Sequence, residues 1–252
     1  MAPILLYHKV CNFDPSGTWV TPSQFEQQMK YLYENGYSTI TPYETSEKKE
    51  KTVIITFDDA YEDFYYNAFP CMLKYGFKAT LFAISKYVGQ DNSWDVNFGV
   101  KKKLMNWEQL REVMKYGFII GSHTVTHPEL TRIPIEKVKE ELLNSKIDLE
   151  DKLNSKIDFI SYPFGSYNQN IVKVAQETGY KMSFTSSPFI KENMVIGRMG
   201  IYIIDTIIDF KFKLNKGNNI PYLFEAIKSH TINIFSHGTW IWKNFESFLK
   251  PH

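Results

Sequence analysis

Two short clusters in this 252-residue chain carry side chains able to do chemistry. The run Thr52-Val53-Ile54-Ile55-Thr56-Phe57 ends in the paired carboxylates Asp58 and Asp59. Adjacent residues leaving a strand point to opposite sides, so the two carboxylates are expected to do different work. One can bind a cation while the other serves as an acid or base. An acidic turn or a helix N-cap would use the same residues. The second cluster, Ser122-His123-Thr124-Val125-Thr126-His127-Pro128, sets two imidazoles four positions apart. Pro128 biases His127 away from helical backbone, which predicts a loop following a strand. Two neutral imidazoles plus a carboxylate are the usual protein ligands of an open zinc site, leaving a position for water. A pair of surface or capping histidines fits the same spacing.

These residues need a scaffold that delivers them to one place. A short apolar run ending in polar residues, then a segment with helical spacing, recurs along the chain. Pro3 to Tyr7 ends at His8, and Thr52 to Phe57 ends at the Asp pair and leads into a helix from about Glu62 to Tyr75. Lys78 to Ile84 reads as the next strand, and a helix from Trp107 to Tyr116 precedes the apolar run into Ser122-His123. Ile135 to about Leu153 is an amphipathic helix with Val138, Leu142, Ile147 and Leu149 near one face. Phe159 to Tyr162 leads into Pro163-Phe164-Gly165, Ile171 to Thr178 is helical, and Met182 to Thr185 is a further strand. Asp91 to Lys103 reads as a solvated connecting loop, with an aromatic and basic rim to the groove as the alternative. Alternating strands and helices predict an α/β fold of parallel βα units. Polar residues gathered at strand C-terminal ends favour a barrel, with an open doubly wound sheet as the alternative.

Composition bounds the rest. Hydrophobic residues make up 43% and charged residues 23%, which is ordinary for a globular chain of one large or two small domains. Lys+Arg 29 against Asp+Glu 28 leaves a net charge of +1, so no basic field points to a nucleic-acid partner. No Gly-rich phosphate loop follows any strand. Cys11 and Cys71 cannot make a disulfide framework and read as two reduced thiols. No apolar run approaches the roughly 20 residues of a membrane span. The first residues have no basic segment followed by an apolar one, so the expected location is cytoplasmic, or the envelope if a leader precedes this sequence. Nothing in the sequence sets an oligomeric state.

Taken together, Thr56-Phe57-Asp58-Asp59, His123-Thr124-Val125-Thr126-His127 and Tyr162-Pro163-Phe164-Gly165 resemble, in order and context, the NodB-type polysaccharide deacetylases. Tyr75-Gly76-Phe77-Lys78-Ala79-Thr80-Leu81-Phe82 is similar to their second strand. The resemblance spans about residues 1 to 214, leaving 215–252 as an extension packed on, or completing, the same domain. It implies a distorted (β/α)7 barrel and a metal-dependent hydrolase that removes N-acetyl groups from an amino-sugar glycan. By position it implies Asp58 as base and Asp59, His123 and His127 as ligands of a divalent metal. Zinc suits that set, with nickel or cobalt as substitutes. It also implies Phe164 as a backbone donor to the oxyanion, and Tyr162, Pro163 and Tyr167 as substrate contacts. Two other readings keep part of this picture: an amidohydrolase of small amides, and a catalytically silent glycan-binding module.

The sequence departs from the common pattern in three places. Ala60 follows the Asp pair where Gly is usual, so a positive φ there would be strained. Ser161 stands where many relatives have an Arg that steadies the base, and Arg198 is the candidate replacement. The opening Leu6-Tyr7-His8-Lys9-Val10 resembles a circularly permuted branch, the poly-N-acetylglucosamine deacetylases, whose acid-bearing strand comes first. His8 is therefore the expected general acid, kept charged by a nearby carboxylate. The run Ile232 to Gly238 predicts a second strand ending in a histidine, with His237 as the alternative acid.

Overall fold

Runs of β-branched and aromatic residues set the architecture of the computed structural model, which describes residues 2–44, 51–95, 100–192, 194–215 and 220–233. The strands are β1 (Ile4–Tyr7), β2 (Thr52–Asp59), β3 (Thr80–Ala83), β4 (Ile119–Ser122), β5 (Phe159–Ser161), β6 (Met182–Thr185), β7 (Val195–Gly197) and β8 (Met199–Gly200). All pair in parallel, from β1 through β2, β3, β4, β5 and β6 to β7. β7 and β8 are one run of chain interrupted at Arg198, and β8 pairs back onto β1. The last stave hydrogen-bonds β6 with its first half and β1 with its second, so the ring closes on seven staves. The fold is the distorted (β/α)7 barrel and not the open sheet.

Local chemistry starts the helices, both the expected ones and those at Pro22–Glu34 and Ile207–Leu214, which the sequence pattern did not mark. α1 (Pro22–Glu34) and α3 (Trp107–Lys115) begin in capping boxes, Thr21 with Gln24 and Asn106 with Gln109. α5 (Gln169–Glu177) is capped by Asn168, and α6 (Ile207–Leu214) by Thr206 with Asp209. The predicted helix from Glu62 to Tyr75 is two pieces, a π-turn over Phe64–Ala68 and then α2 (Phe69–Lys74). Pro70 has no N–H to donate, so the backbone ahead of it is rewound. α4 (Ile135–Leu153) has the expected bounds, but its buried residues are Val138, Leu142, Ser145, Leu149 and Leu153. Ile147 is 52% exposed, since two positions from Leu149 is roughly 200° around a helix.

Strand alternation sorts the core into two layers. Ile4, Ile54, Phe82, Phe159, Phe184 and Ile196 pack together inside the barrel. Their neighbours Leu5, Ile55, Leu81, Ile120, Ile160 and Val195 join the larger cluster shared with the helices. Gly121 fits this interior because a Cβ there would lie 2.6 Å from the Phe82 ring. Residues 220–233 are helical, with Glu225, Ala226, Ser229 and Asn233 buried at helical spacing. Ile232 and Asn233 are therefore helical and not part of the predicted strand; the remainder of that run, with His237, lies outside the described residues.

Candidate active site

The C-terminal ends of the staves open into a pocket of about 420 Å³ that His8, Asp58, Asp59, His123, His127 and Phe164 all help to line. Asp58 arrives by alternation: Ile54, Thr56 and Asp58 share one side of β2, above the inner apolar layer. Asp59 does not continue on the opposite side. It and Ala60 both have left-handed backbone, φ 69 and 52, and this turn swings Asp59 back over the mouth. The carboxylates thus differ in partners, as expected, but not by pointing apart. Ala60 carries the positive φ that its non-glycine identity makes costly.

Asp58 is clamped. Arg198 donates from its two terminal nitrogens to both carboxylate oxygens at 2.7 Å, and the Ser161 hydroxyl donates a third bond at 3.0 Å. The remaining guanidinium donors reach Thr56, Ser161 and the Thr185 carbonyl, so all five N–H groups are used. Arg198 is 1% exposed and lies over the Phe82 and Phe184 rings. Burial pushes the Asp58 carboxyl up, but the Arg198 guanidinium beside it outweighs this and holds the group well below the usual carboxylate range.

Asp59 is in the opposite condition. Burial and the adjacent Asp58 charge push its carboxyl well above the ordinary value. Its Oδ1 makes no hydrogen bond, yet it faces His123 Nε2 at 3.5 Å and His127 Nε2 at 3.6 Å. His123 Nδ1 bonds the Ser161 carbonyl at 2.7 Å, which turns Nε2 toward Asp59. Burial lowers both imidazoles, that of His127 far below the usual value with His123 adding to it. Ligands at about 2.1 Å from a tetrahedral zinc stand roughly 3.4 Å from one another, so this trio fits such an ion. An unbonded buried carboxylate oxygen facing two neutral imidazoles is the arrangement a divalent cation would satisfy.

The other sequence-singled residues divide. Phe164 is left-handed at φ 59, and its ring lies 4.8 Å from the His127 ring. His8 follows β1 into the pocket, its Nδ1 buried without a hydrogen bond. Burial lowers its pKa to about 4 and outweighs the attraction of Asp58, so the expectation of a resting imidazolium is corrected. Tyr162, Pro163 and Tyr167 do not line the pocket. With Ser161 turned inward, Tyr162 faces the helix layer, where it is fully buried and stacks on Tyr167. Pro163 is buried as well, and the Tyr167 hydroxyl bonds Glu192. The Asp91–Lys103 segment is more than a connector, since Trp94 and Asp95 line the pocket and Trp94 packs on Tyr87 and Tyr61. Opposite walls come from Ser16, Gly17 and Thr18, and from Ile232 and Asn233. Asn233 is held by the Tyr202 hydroxyl and the Ser186 carbonyl. The aromatic-rim alternative for the Asp91–Lys103 segment fits Trp94, whereas the walls at 16–18 and 232–233 were missed because no local motif marks a loop that meets the site only in three dimensions.

A seven-stave parallel barrel with this constellation at its C-terminal mouth is matched by the polysaccharide deacetylase family model over residues 45–183, and the chain belongs to that family. Protein YxkH of Bacillus subtilis (strain 168) is 38% identical over 193 residues, 74% of this chain and 64% of that protein, so the chain spans less than two thirds of that relative. A poly-beta-1,6-N-acetyl-D-glucosamine N-deacetylase of Staphylococcus aureus (strain MSSA476) is 28% identical over 205 residues, 75% of this chain and 67% of that protein. The solved Streptococcus pyogenes deacetylase PplD, in complex with acetate, superposes with a TM-score of 0.73 at 26% identity, covering 85% of this chain and 98% of that one. Among the described residues no helix is long and apolar enough to cross a membrane.

Proposed function

We propose that this chain is a metal-dependent hydrolase that removes N-acetyl groups from an amino-sugar glycan. The observation that carries the reading is the meeting of Asp59, His123 and His127 ligand atoms beside an Asp58 clamped by Arg198. Asp59, His123 and His127 would hold the ion, with zinc as the proposed occupant and nickel or cobalt compatible with the same donors. When bound, such an ion polarises an amide carbonyl and makes a nearby water more acidic.

The chain supplies the rest. Asp58, kept ionised and oriented by Arg198, takes the proton of the attacking water. The Phe164 backbone N–H helps stabilise the oxyanion of the tetrahedral intermediate. His8 protonates the leaving amine. Because His8 rests neutral, its proton has to arrive during turnover, and Asp58 holds one once the water has attacked. The staphylococcal relative, named for poly-beta-1,6-N-acetyl-D-glucosamine, supports an amino-sugar polymer as the substrate class.

The test is acetate release from β-1,6- and β-1,4-linked N-acetylglucosamine oligomers. Chelated enzyme should be inactive and zinc-reloaded enzyme active. No acetate from any oligomer after reloading, or release indifferent to chelation, would overturn the reading.

A further inference from the structure

The loop that joins the two histidines is built against its own preferences. Thr124 and His127 have left-handed backbone, φ 68 and 60. Such backbone is costly for a residue other than glycine and persists only when its surroundings hold it. The intervening residues, Val125 and Thr126, are β-branched and supply no turn chemistry. Inside the loop the Thr124 hydroxyl accepts from the His127 N–H at 3.0 Å, and a group outside the loop must hold Val125 and Thr126.

Glu141 does so from α4. Its Oε2 accepts from the backbone N–H groups of both Val125 and Thr126 at 2.8 Å, and its Oε1 accepts from the Thr126 hydroxyl at 2.6 Å. Three bonds converge on one carboxylate, and bonds to an ionised acceptor are about twice as strong as neutral ones. The helix behind it is itself anchored, since Ser145 bonds the Ser122 hydroxyl at 2.8 Å and Tyr180 donates to the Leu142 carbonyl at 2.9 Å. On the other side of the loop, the Ser85 and Lys86 N–H groups donate to the Thr124 and Val125 carbonyls. The carboxylate therefore takes the loop's donors while the segment after β3 takes its acceptors.

We propose that Glu141 is the positioning residue of the metal centre, holding the strained loop so that His123 and His127 are pre-set to bind the ion. This rests on the metal-site reading above. Glu141 is not among the pocket-lining residues, so it acts through the loop. Loss of outer-shell support typically costs a metal site about 10–100-fold in affinity.

The test is zinc affinity of the metal-stripped full chain, read by competition with a chromophoric chelator at pH 7. Glu141→Ala should bind zinc 10–100-fold more weakly than the parent. Glu141→Gln keeps the length and one acceptor oxygen, so it should lose less. Glu140→Ala, which removes only an exposed ion pair with Lys137, should bind within twofold. A merely structural role would lower the melting temperature of the stripped protein and leave zinc affinity alone. Affinities within twofold of the parent for both Glu141 variants would overturn the proposal. A parent that binds no divalent ion would overturn the metal-site reading and this proposal with it.

Discussion

Asp58 and Asp59 are neighbours in sequence with different partners, Asp58 clamped by Arg198 and Asp59 facing the His123 and His127 rings. Their amide variants should therefore fail differently. Asp58→Asn is expected to retain zinc and lose hydrolytic rate by ~10²–10⁴-fold, the usual share of acid–base catalysis. Asp59→Asn should lose the metal itself, and elemental analysis of both proteins beside their acetate-release rates separates the roles. The acid is tested in the same way: His8→Ala should keep zinc and abolish most turnover, while His237→Ala should cost much less. A dead His237→Ala enzyme with an active His8→Ala would move the acid to the C-terminal segment. The Asp pair and the spaced histidines were legible because their types and spacing are chemical requirements. Tyr162, expected at the substrate, does not line the pocket for a physical reason: period-2 alternation put Ser161 inside and turned the next side chain outward.

At the scale of elements, the π-turn after β2 does more than rewind the chain ahead of Pro70. Asp63 and Asn67 lie at its ends and grip one residue of the first segment. The Asp63 carboxylate accepts from the Val10 N–H at 3.1 Å, and Asn67 donates to the Val10 carbonyl at 2.7 Å. Val10 is two positions from His8, so the clamp ties the first stave's exit to the element that follows the Asp pair. Burial pushes the Asp63 pKa up to about 6 despite the Val10 bond, and its second oxygen is buried without a partner. A folded-state pKa above the unfolded value contributes stability that is full below about pH 4 and is lost as pH rises through 6. Asp63→Asn keeps the acceptor and removes the ionisation. It should raise the melting temperature by a few °C at pH 8 and change it little at pH 4, by thermal melts across that range. The starts of α3 and α5 lie at or near the expected positions, where Asn106 and Asn168 cap them by local chemistry, whereas α1 with its Thr21 cap was not anticipated. The π-turn, the buried Ser145 on α4 and the helical backbone at Ile232 and Asn233 were not legible, because contacts remote in sequence decide them.

The whole molecule couples its site to its stability in two ways. A ligand that binds only the folded state adds about 2.7 kcal/mol at a hundredfold excess over its Kd. For a chain of this size that is roughly 5–10 °C, so zinc addition to stripped protein should raise the melting temperature by that amount. Scanning calorimetry with and without zinc measures it, and His123→Ala should abolish the shift. The second coupling is a buried ionic cluster: Lys213 bonds Asp205, with Glu225 at 3.4 Å, and Lys228 contacts both carboxylates. We propose on this basis that residues 220–233 belong to the barrel's folding unit, together with their bond from the Gly200 N–H to Ser229. Lys213→Ala, which strands buried carboxylates, should cost about 3–5 kcal/mol in denaturant unfolding. The seam at Arg198 has a consequence for how the protein comes into being. Leu5 leaves the ribosome almost two hundred residues before its edge partner Met199. Until then the nascent sheet carries two bare edges, the hallmark of an aggregation-prone intermediate. The guanidinium that clamps Asp58 sits on that same late segment, so a chain ending before it lacks the clamp, and the proposed hydrolytic site is complete only with the final stave.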